Sequence, residues 1–290
     1  MAFVAATLLV LAPSSSPPTP PALASVLQSM AHATDAALRH QWTSTGQAKC
    51  DYHLLQGEWY DYEQLWHTGQ LAAGLLAAQR TLQLTNPAAV TDATLAAGKW
   101  WVSQAVTGPS SSPTLGLIQS IDRREGGFGC ITDACGPTED LTDVSDGSRA
   151  MFLLTNWTGD GTYADAATAS ARWQLRHMKV SVPGDGGINT TKGLYYNVVN
   201  MTTGRPITAT PTTLVALTPP PSLDKISRSN IEGSLFLDAC RHTGDQELCA
   251  AFLEQANASV LRQDHRSGLW MQWTPNDPST GRFHPRFNTW

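Results

Sequence analysis

Residues 229–260, SNIEGSLFLDACRHTGDQELCAAFLEQANASV, read as two antiparallel helices joined by a short turn. Ser229 or Asn230 can cap the first helix. Gly244 can end that helix, and Asp245 can cap the second. Apolar residues recur at helical spacing along both halves, at Ile231, Leu235, Ala239, Leu248, Phe252 and Val260. The stretch therefore predicts an αα-hairpin.

Two further stretches repeat this pattern upstream. Residues 143–177, DVSDGSRAMFLLTNWTGDGTYADAATASARWQLRH, contain the same Thr-Gly-Asp turn at 158–160. A looser version runs over residues 61–106, where the turn is Thr-Asn-Pro. A loop rich in glycine and aromatic residues follows each pair. The repeat is therefore helix, turn, helix and long loop.

The two helices of each predicted pair differ in polarity. The first is almost wholly apolar and the second is amphipathic, so we expect an inner ring of helices surrounded by an outer ring. The predicted fold is an all-α (α/α) toroid of helical hairpins, with short β-hairpins in the long loops on one face. Loops of this kind usually hold binding sites. Residues 287–290 read like the opening of another helix, so we expect the ring to be incomplete at the C-terminus.

This pattern resembles the six-hairpin glycosidase-like proteins, which include unsaturated glucuronyl and rhamnogalacturonyl hydrolases and α-1,6-mannan-cleaving enzymes. The resemblance covers roughly residues 59–290 and rests on the EGSLFLDACRHTGD hairpin (232–245) and the glycine-aromatic loops. The adjacent Asp-Asp pair typical of some members is absent. The resemblance implies a carbohydrate-active groove at the N-terminal ends of the inner helices.

Carboxylates at those helix ends are the candidate catalytic groups. Glycoside hydrolysis generally uses two carboxyls, one donating a proton and one acting as base or nucleophile. We assign these roles to Asp143 or Asp146 together with Glu232. The alternative interpretation is structural, because Asp143 and Asp146 have the spacing of helix-capping acids and Glu232 would favour the dipole in a first helical turn.

Other polar and aromatic residues near the same rim are candidate substrate-binding groups. Aromatic faces suit the apolar side of a sugar ring, and cationic side chains suit a carboxylated sugar. The candidates are Glu63, Trp66, His67, Arg149, Tyr195, Trp270, Trp273 and His284. The alternative is that the aromatic side chains plug the mouth of the toroid and that His67 is a hydrogen-bonded packing residue.

Composition and motifs restrict the other classes of function. The chain has 290 residues, 15% charged residues and a formal net charge of −5, which argues against a nucleic-acid or anionic-membrane partner. No Gly-x-Ser-x-Gly elbow or phosphate-binding loop is present, and no cysteine pair has zinc-site spacing with histidine. We therefore predict no cofactor and no metal. Residues 138–146, TEDLTDVSD, are a weak echo of the Asp-rich metal motif of terpene cyclases.

Several features favour a secretory route. Residues 1–24 contain an apolar stretch too short to span a bilayer, followed by a possible cleavage site, so they are a signal peptide or a Pro-rich terminus. Residues 25–290 then form a single toroid domain. Asn-x-Ser/Thr glycosylation motifs begin at Asn156, Asn189, Asn200 and Asn257. The cysteines suggest the disulfides Cys130–Cys135 and Cys240–Cys249, with Cys50 left over.

The sequence thus predicts a secreted glycoside hydrolase whose partner is a polysaccharide or oligosaccharide. The alternative is a carbohydrate-binding or protein-binding toroid without catalytic activity. Neither the sugar, the linkage nor the oligomeric state follows from the sequence.

Overall fold

The computed structural model describes residues 20–40, 42, 44–49, 52–59, 64–82, 84, 86–119, 138–179, 193, 195–196, 198–206, 233–261, 263 and 265–268. Within these ranges the chain is predominantly helical. The helices are α1 (Pro20–His40), α2 (Gln64–Thr81), α3 (Pro87–Ser103), α4 (Leu141–Thr158), α5 (Thr162–His177), α6 (Gly233–Thr243) and α7 (Gln246–Leu261). The predicted all-α class is confirmed.

The last six helices form the three predicted hairpins, α2–α3, α4–α5 and α6–α7. The first members pack side by side, because α4 contacts both α2 and α6. The second members form another layer, in which α5 contacts both α3 and α7. An inner row and an outer row of helices therefore follow the arc of an (α/α) toroid. Large, fully buried residues from both rows form its core: Leu65, Trp101, Met151, Leu154, Leu235 and Phe236.

The turns of the second and third hairpins are built from the same bonds. In both Thr-Gly-Asp corners, 158–160 and 243–245, the threonine hydroxyl donates to the carbonyl four residues earlier at 2.8 Å. The same hydroxyl accepts from the aspartate N–H at 3.1 Å. The glycines have φ angles of 76° and 70°, a left-handed conformation that glycine adopts without steric penalty. Each aspartate Oδ1 accepts from the N–H two residues later, at 2.9 and 3.0 Å, which starts the next helix.

Small residues allow the inner helices α2 and α4 to approach closely. A Cβ atom added to Gly69 of α2 would collide with the backbone of Gly147 in α4. A Cβ atom added to Gly147 would collide with the Leu65 carbonyl and would lie 3.0 Å from the Trp101 indole nitrogen. Glycine is therefore required at this crossing, which sets the spacing of the inner row.

Short strands occupy the connections, as the sequence predicts for the long loops. β3 (Thr138–Asp140) and β4 (Val198–Asn200) pair antiparallel, and β4 also pairs with β5 (Arg205–Pro206). The hairpin β1 (Tyr52–His53) and β2 (Glu58–Trp59) was not predicted, since the sequence placed a loop before Trp59 and a helix start at that residue. Gly57, at φ 70°, turns the chain back, and Trp59 packs against Tyr52 with ring centroids 5.1 Å apart.

Two details of the predicted helices are wrong. Val260 was placed on the apolar face of α7, yet 65% of it is exposed, and the buried face instead carries Leu248, Ala251, Gln255 and Ala258. Asp143 was given a capping position, but α4 begins at Leu141, which puts Asp143 inside the first turn. Val260 lies in the last turn of α7, beyond the buried face, and Asp143 lies inside its helix because α4 begins two residues earlier than predicted.

The Cys240–Cys249 disulfide is present and joins α6 to α7. Cys50, Cys130 and Cys135 lie outside the described residues. Among the helices that the structure describes, none combines the length and apolar character needed to cross a membrane.

Candidate functional site

The inner helices α4 and α6 run parallel and in register. The Ser234 hydroxyl donates to the Ser145 carbonyl at 3.2 Å, near the N-terminal ends of both helices. One turn further along each helix, the Arg149 guanidinium faces the Asp238 carboxylate. The next turn brings the rings of Phe152 and His242 within 5.8 Å of each other. Contacts that advance in the same direction on both helices place their side chains in matched pairs.

A cavity of about 370 Å³ opens between these two helices. This volume lies within the range of about 300–1,000 Å³ that is typical of small-ligand sites. One wall consists of α4 residues and the other of α6 residues: Arg149, Phe152, Leu153 and Asn156 on one side, and Asp238, Arg241 and His242 on the other. The lining therefore combines one carboxyl with two guanidiniums and an imidazole.

Asp238 is the acidic group of the cavity. Its side chain is only 12% exposed, and its Oδ2 atom is buried and lies 4.0 Å from Nη1 of Arg149. Burial raises the pKa of the Asp238 carboxyl above its ordinary value, because the charged form loses hydration, and the charges of Arg149 and Arg241 oppose this rise. A raised pKa moves a carboxyl toward the range in which it can act as a general acid.

The cavity also contains the basic side chains of two arginines and a histidine. The Arg149 side chain is 61% exposed, and both Arg241 and His242 are exposed in the last turn of α6. The His242 ring packs against Phe152, which is itself buried. A ligand that enters the cavity would thus meet two guanidinium groups and an imidazole around one buried carboxyl, and the guanidinium groups favour an anionic group.

Asp146 lies close to this arrangement on α4. It precedes Arg149 by three residues, so the two side chains share a helical face one turn apart. Asp146 is partly buried, and its Oδ2 atom is shielded from solvent. Asp146 is therefore one helical turn from Arg149, but it is not one of the residues that line the cavity.

The remaining predicted site residues fall into two groups. Trp66 and Tyr195 are 5% and 2% exposed, so they belong to the core rather than to a surface that a sugar can stack on. Tyr195 packs against Phe236 at 5.0 Å, and burial, with a smaller effect of Glu254, raises its pKa. His67 is partly buried on α2, with its ring 5.2 Å from that of Trp66. The side chain of Asp143 is not among those that the structure describes. The other five candidates lie outside the described residues: Glu63, Glu232, Trp270, Trp273 and His284.

The sequence analysis missed Asp238, Arg241 and His242. A signal was present, because Asp238 is a single acid within the apolar run of α6, between Leu235, Phe236 and Ala239. The predicted catalytic acids were those at helix N-termini, whereas these three residues lie in the middle and last turns of α6. In the described part of the chain, no group of three or more His, Cys, Asp and Glu residues is placed to hold a metal ion.

The helical hairpins form the inner and outer rows of an (α/α) toroid-type protein. A cavity lined by ionisable side chains lies on the inner row. No protein-family model matches the chain, and no curated protein matches it. Among solved structures, it is similar to an unsaturated glucuronyl hydrolase variant with dGlcA-Glc-Rha-Glc, with a TM-score of 0.44 and 13% identity over 89% of this chain and 72% of that one. It is also similar to the unsaturated glucuronyl hydrolase of Bacillus sp. GL1, described as responsible for the degradation of glycosaminoglycan, with a TM-score of 0.41 and 12% identity over 89% of this chain and 72% of that one.

Proposed function

We propose that the protein is a secreted glycoside hydrolase that binds an acidic oligosaccharide or polysaccharide in the cavity between α4 and α6. The observation that carries this proposal is the Asp238 carboxyl, which has a raised pKa and lies 4.0 Å from Arg149 in a cavity of about 370 Å³. Cleavage of a glycosidic bond requires protonation of the leaving oxygen, and a buried carboxylic acid supplies that proton.

The second carboxyl in this proposal is Asp146. Asp146 lies one turn before Arg149, so it is the acid on α4 nearest along the helix to the Arg149–Asp238 pair. In a hydrolase of this type, the ionised carboxyl acts as base or nucleophile while the protonated one acts as acid. The burial of Asp238 and its raised pKa suit it to the acid role, and Asp146 then takes the other role.

The basic residues of the cavity are the reason for proposing a negatively charged substrate. Arg149, Arg241 and His242 all line the cavity, and Arg241 and His242 are exposed to solvent. Guanidinium groups bind carboxylates through paired hydrogen bonds. A sugar with a carboxylate would engage Arg241 while its glycosidic oxygen faces Asp238.

The location proposed for the protein has separate support. The Cys240–Cys249 disulfide is of a kind that persists in oxidising compartments and is rare in the cytosol. The glycosylation motifs of the sequence are compatible with that route.

The experiment compares hydrolysis of a panel of acidic and neutral oligosaccharides by the unmodified protein and three variants. We expect reducing ends to be released from acidic substrates. Asp238→Asn should lower kcat by about 10²–10⁴, the usual contribution of a general acid. Asp146→Asn should also abolish turnover, and Arg241→Met should raise KM for acidic substrates alone.

The alternative is a toroid that binds carbohydrate without cleaving it. Calorimetry then shows binding that survives both Asp→Asn substitutions, with no reducing ends in any sample. Products that absorb in the ultraviolet would instead indicate elimination, for which His242 is the base in the cavity. A circular dichroism spectrum of each variant verifies that its helices remain folded.

A further inference from the structure

One glycosylation motif lies in the wall of the cavity. Asn156 is exposed near the C-terminal end of α4 and lines the cavity together with Arg149 and Asp238. It begins the motif Asn156-Trp157-Thr158. Such a motif is an acceptor for N-linked glycans in secreted proteins, provided that the asparagine is accessible.

The other motifs in the described residues have different surroundings. Asn257 is exposed on α7 and does not line the cavity. Asn200 is the last residue of β4, and its Oδ1 accepts from the backbone N–H groups of Thr202 and Thr203 in the turn that follows, both at 3.0 Å. Of these three asparagines, Asn156 is the one at which an attached glycan would lie in the wall of the cavity.

We propose that Asn156 carries an N-linked glycan, and that this glycan narrows the mouth of the cavity so that the enzyme accepts short oligosaccharides and chain ends rather than the interior of long polymers. This inference rests on the proposed function, since it names the size of substrate that the same site admits.

The modification is an ordinary glycosyl transfer by a separate enzyme of the secretory route. The Asn156 side-chain nitrogen forms a bond to the anomeric carbon of an oligosaccharide that is carried on a diphosphate. The bond from that carbon to the diphosphate oxygen breaks, and the proton lost from the amide leaves with the diphosphate.

The position of Asn156 explains why its glycan would act on large substrates. Arg149, Phe152, Leu153 and Asn156 form a single stripe along α4. The glycan therefore starts from the same face as the reacting groups. Trp157, which is 42% exposed, provides an adjacent aromatic surface for the first sugar of the glycan. A bulky branched chain at this point leaves less room for a polymer to cross the site in both directions.

The test uses the full chain secreted from a eukaryotic host, analysed intact and after an endoglycosidase has trimmed each glycan to one sugar. Mass spectrometry of peptides measures the occupancy of Asn156. We expect occupancy, and a KM for a long acidic polysaccharide that falls several-fold on trimming, with kcat for a short oligosaccharide unchanged. Asn156→Gln should show the KM of the trimmed protein for the polymer, while the matched control Asn257→Gln should behave like the untrimmed one.

An unoccupied Asn156, or equal KM values for the polymer before and after trimming, would overturn the inference. If no form hydrolyses any substrate, the proposed function is wrong, and a second measurement still decides whether the glycan covers the cavity. That measurement is the rate at which diethyl pyrocarbonate modifies His242. Trimming should raise this rate several-fold, and an unchanged rate would overturn the covering role.

Discussion

Gly69 of α2 and Gly147 of α4 lie backbone to backbone at the centre of the inner row. Because no side chain separates the two helices there, their spacing depends on the absence of two Cβ atoms. The core residues Leu65 and Trp101 pack around the same crossing.

The crossing predicts opposite effects for two glycine substitutions in this row. Gly147→Ala should lower the free energy of unfolding by at least about 1–3 kcal/mol, the usual cost of overpacking, because the added methyl meets the Leu65 carbonyl rather than a flexible side chain. The control is Gly74→Ala in α2, where nothing lies within 4 Å of the added Cβ. Gly74→Ala should raise the free energy of unfolding by about 0.5–1 kcal/mol, because alanine favours a helix more than glycine does. Urea unfolding measures both, and equal effects would contradict the close crossing.

The aspartates of the two Thr-Gly-Asp corners should make the free energy of unfolding depend on pH in the acidic range. Hydrogen bonds from Thr162 lower the pKa of Asp160, and the backbone N–H of Glu247 does the same for Asp245, with help from Arg172 at 3.1 Å. A lowered folded pKa means that this stabilisation is present above the unfolded value of about 3.9 and is lost as pH falls through the folded pKa.

Substitution of both corner aspartates by asparagine tests this dependence. Asparagine keeps the capping oxygen but cannot titrate, so the doubly substituted protein should lose less stability between neutral pH and about pH 2 than the unmodified protein. The urea midpoint as a function of pH is the measurement. Parallel curves for the two proteins would show that the corners do not contribute.

Asp238 should set the alkaline limb of the activity profile. A general acid must hold its proton, so kcat/KM should fall as pH rises through the raised pKa of Asp238. Arg149 lowers that pKa, and Arg149→Met should therefore move the limb to higher pH. Arg176→Met, which removes an exposed cation from α5, is the control and should leave the limb in place. A limb that stays fixed in Arg149→Met would argue against Asp238 as the acid.

The disulfide should stabilise the third hairpin and its part of the cavity. Cys240 and Cys249 are nine residues apart, and closing a loop of this size contributes about 2–4 kcal/mol to the free energy of unfolding. Asp238, Arg241 and His242 lie on the turns next to Cys240, so reduction should also raise KM. Urea unfolding with and without reductant gives the comparison, and the loss due to this disulfide should be absent from a Cys240→Ala/Cys249→Ala protein.

The sequence predicted the hairpins because their signals are local. Apolar spacing and the Thr-Gly-Asp corners are read within a few residues, and the bonds at 158–160 and 243–245 confirm them. The cavity depends on the register between α4 and α6, which joins Arg149 to Asp238 across 89 residues of sequence. No local pattern specifies that register, so the acid in α6 was missed. Trp59 was misassigned for a related reason, since its strand exists only by pairing with Tyr52.

The recurrence of one corner in two hairpins bears on how such an architecture can change. The second and third hairpins each make the bonds of the reversal with their own threonine, glycine and aspartate, and only an ion pair from Arg172 of the second hairpin reaches the corner of the third. Duplication or loss of a hairpin would leave these threonine and aspartate bonds in place in the others. The number of hairpins is therefore free to vary, while the lateral contact between Arg149 and Asp238 constrains which hairpins stand side by side.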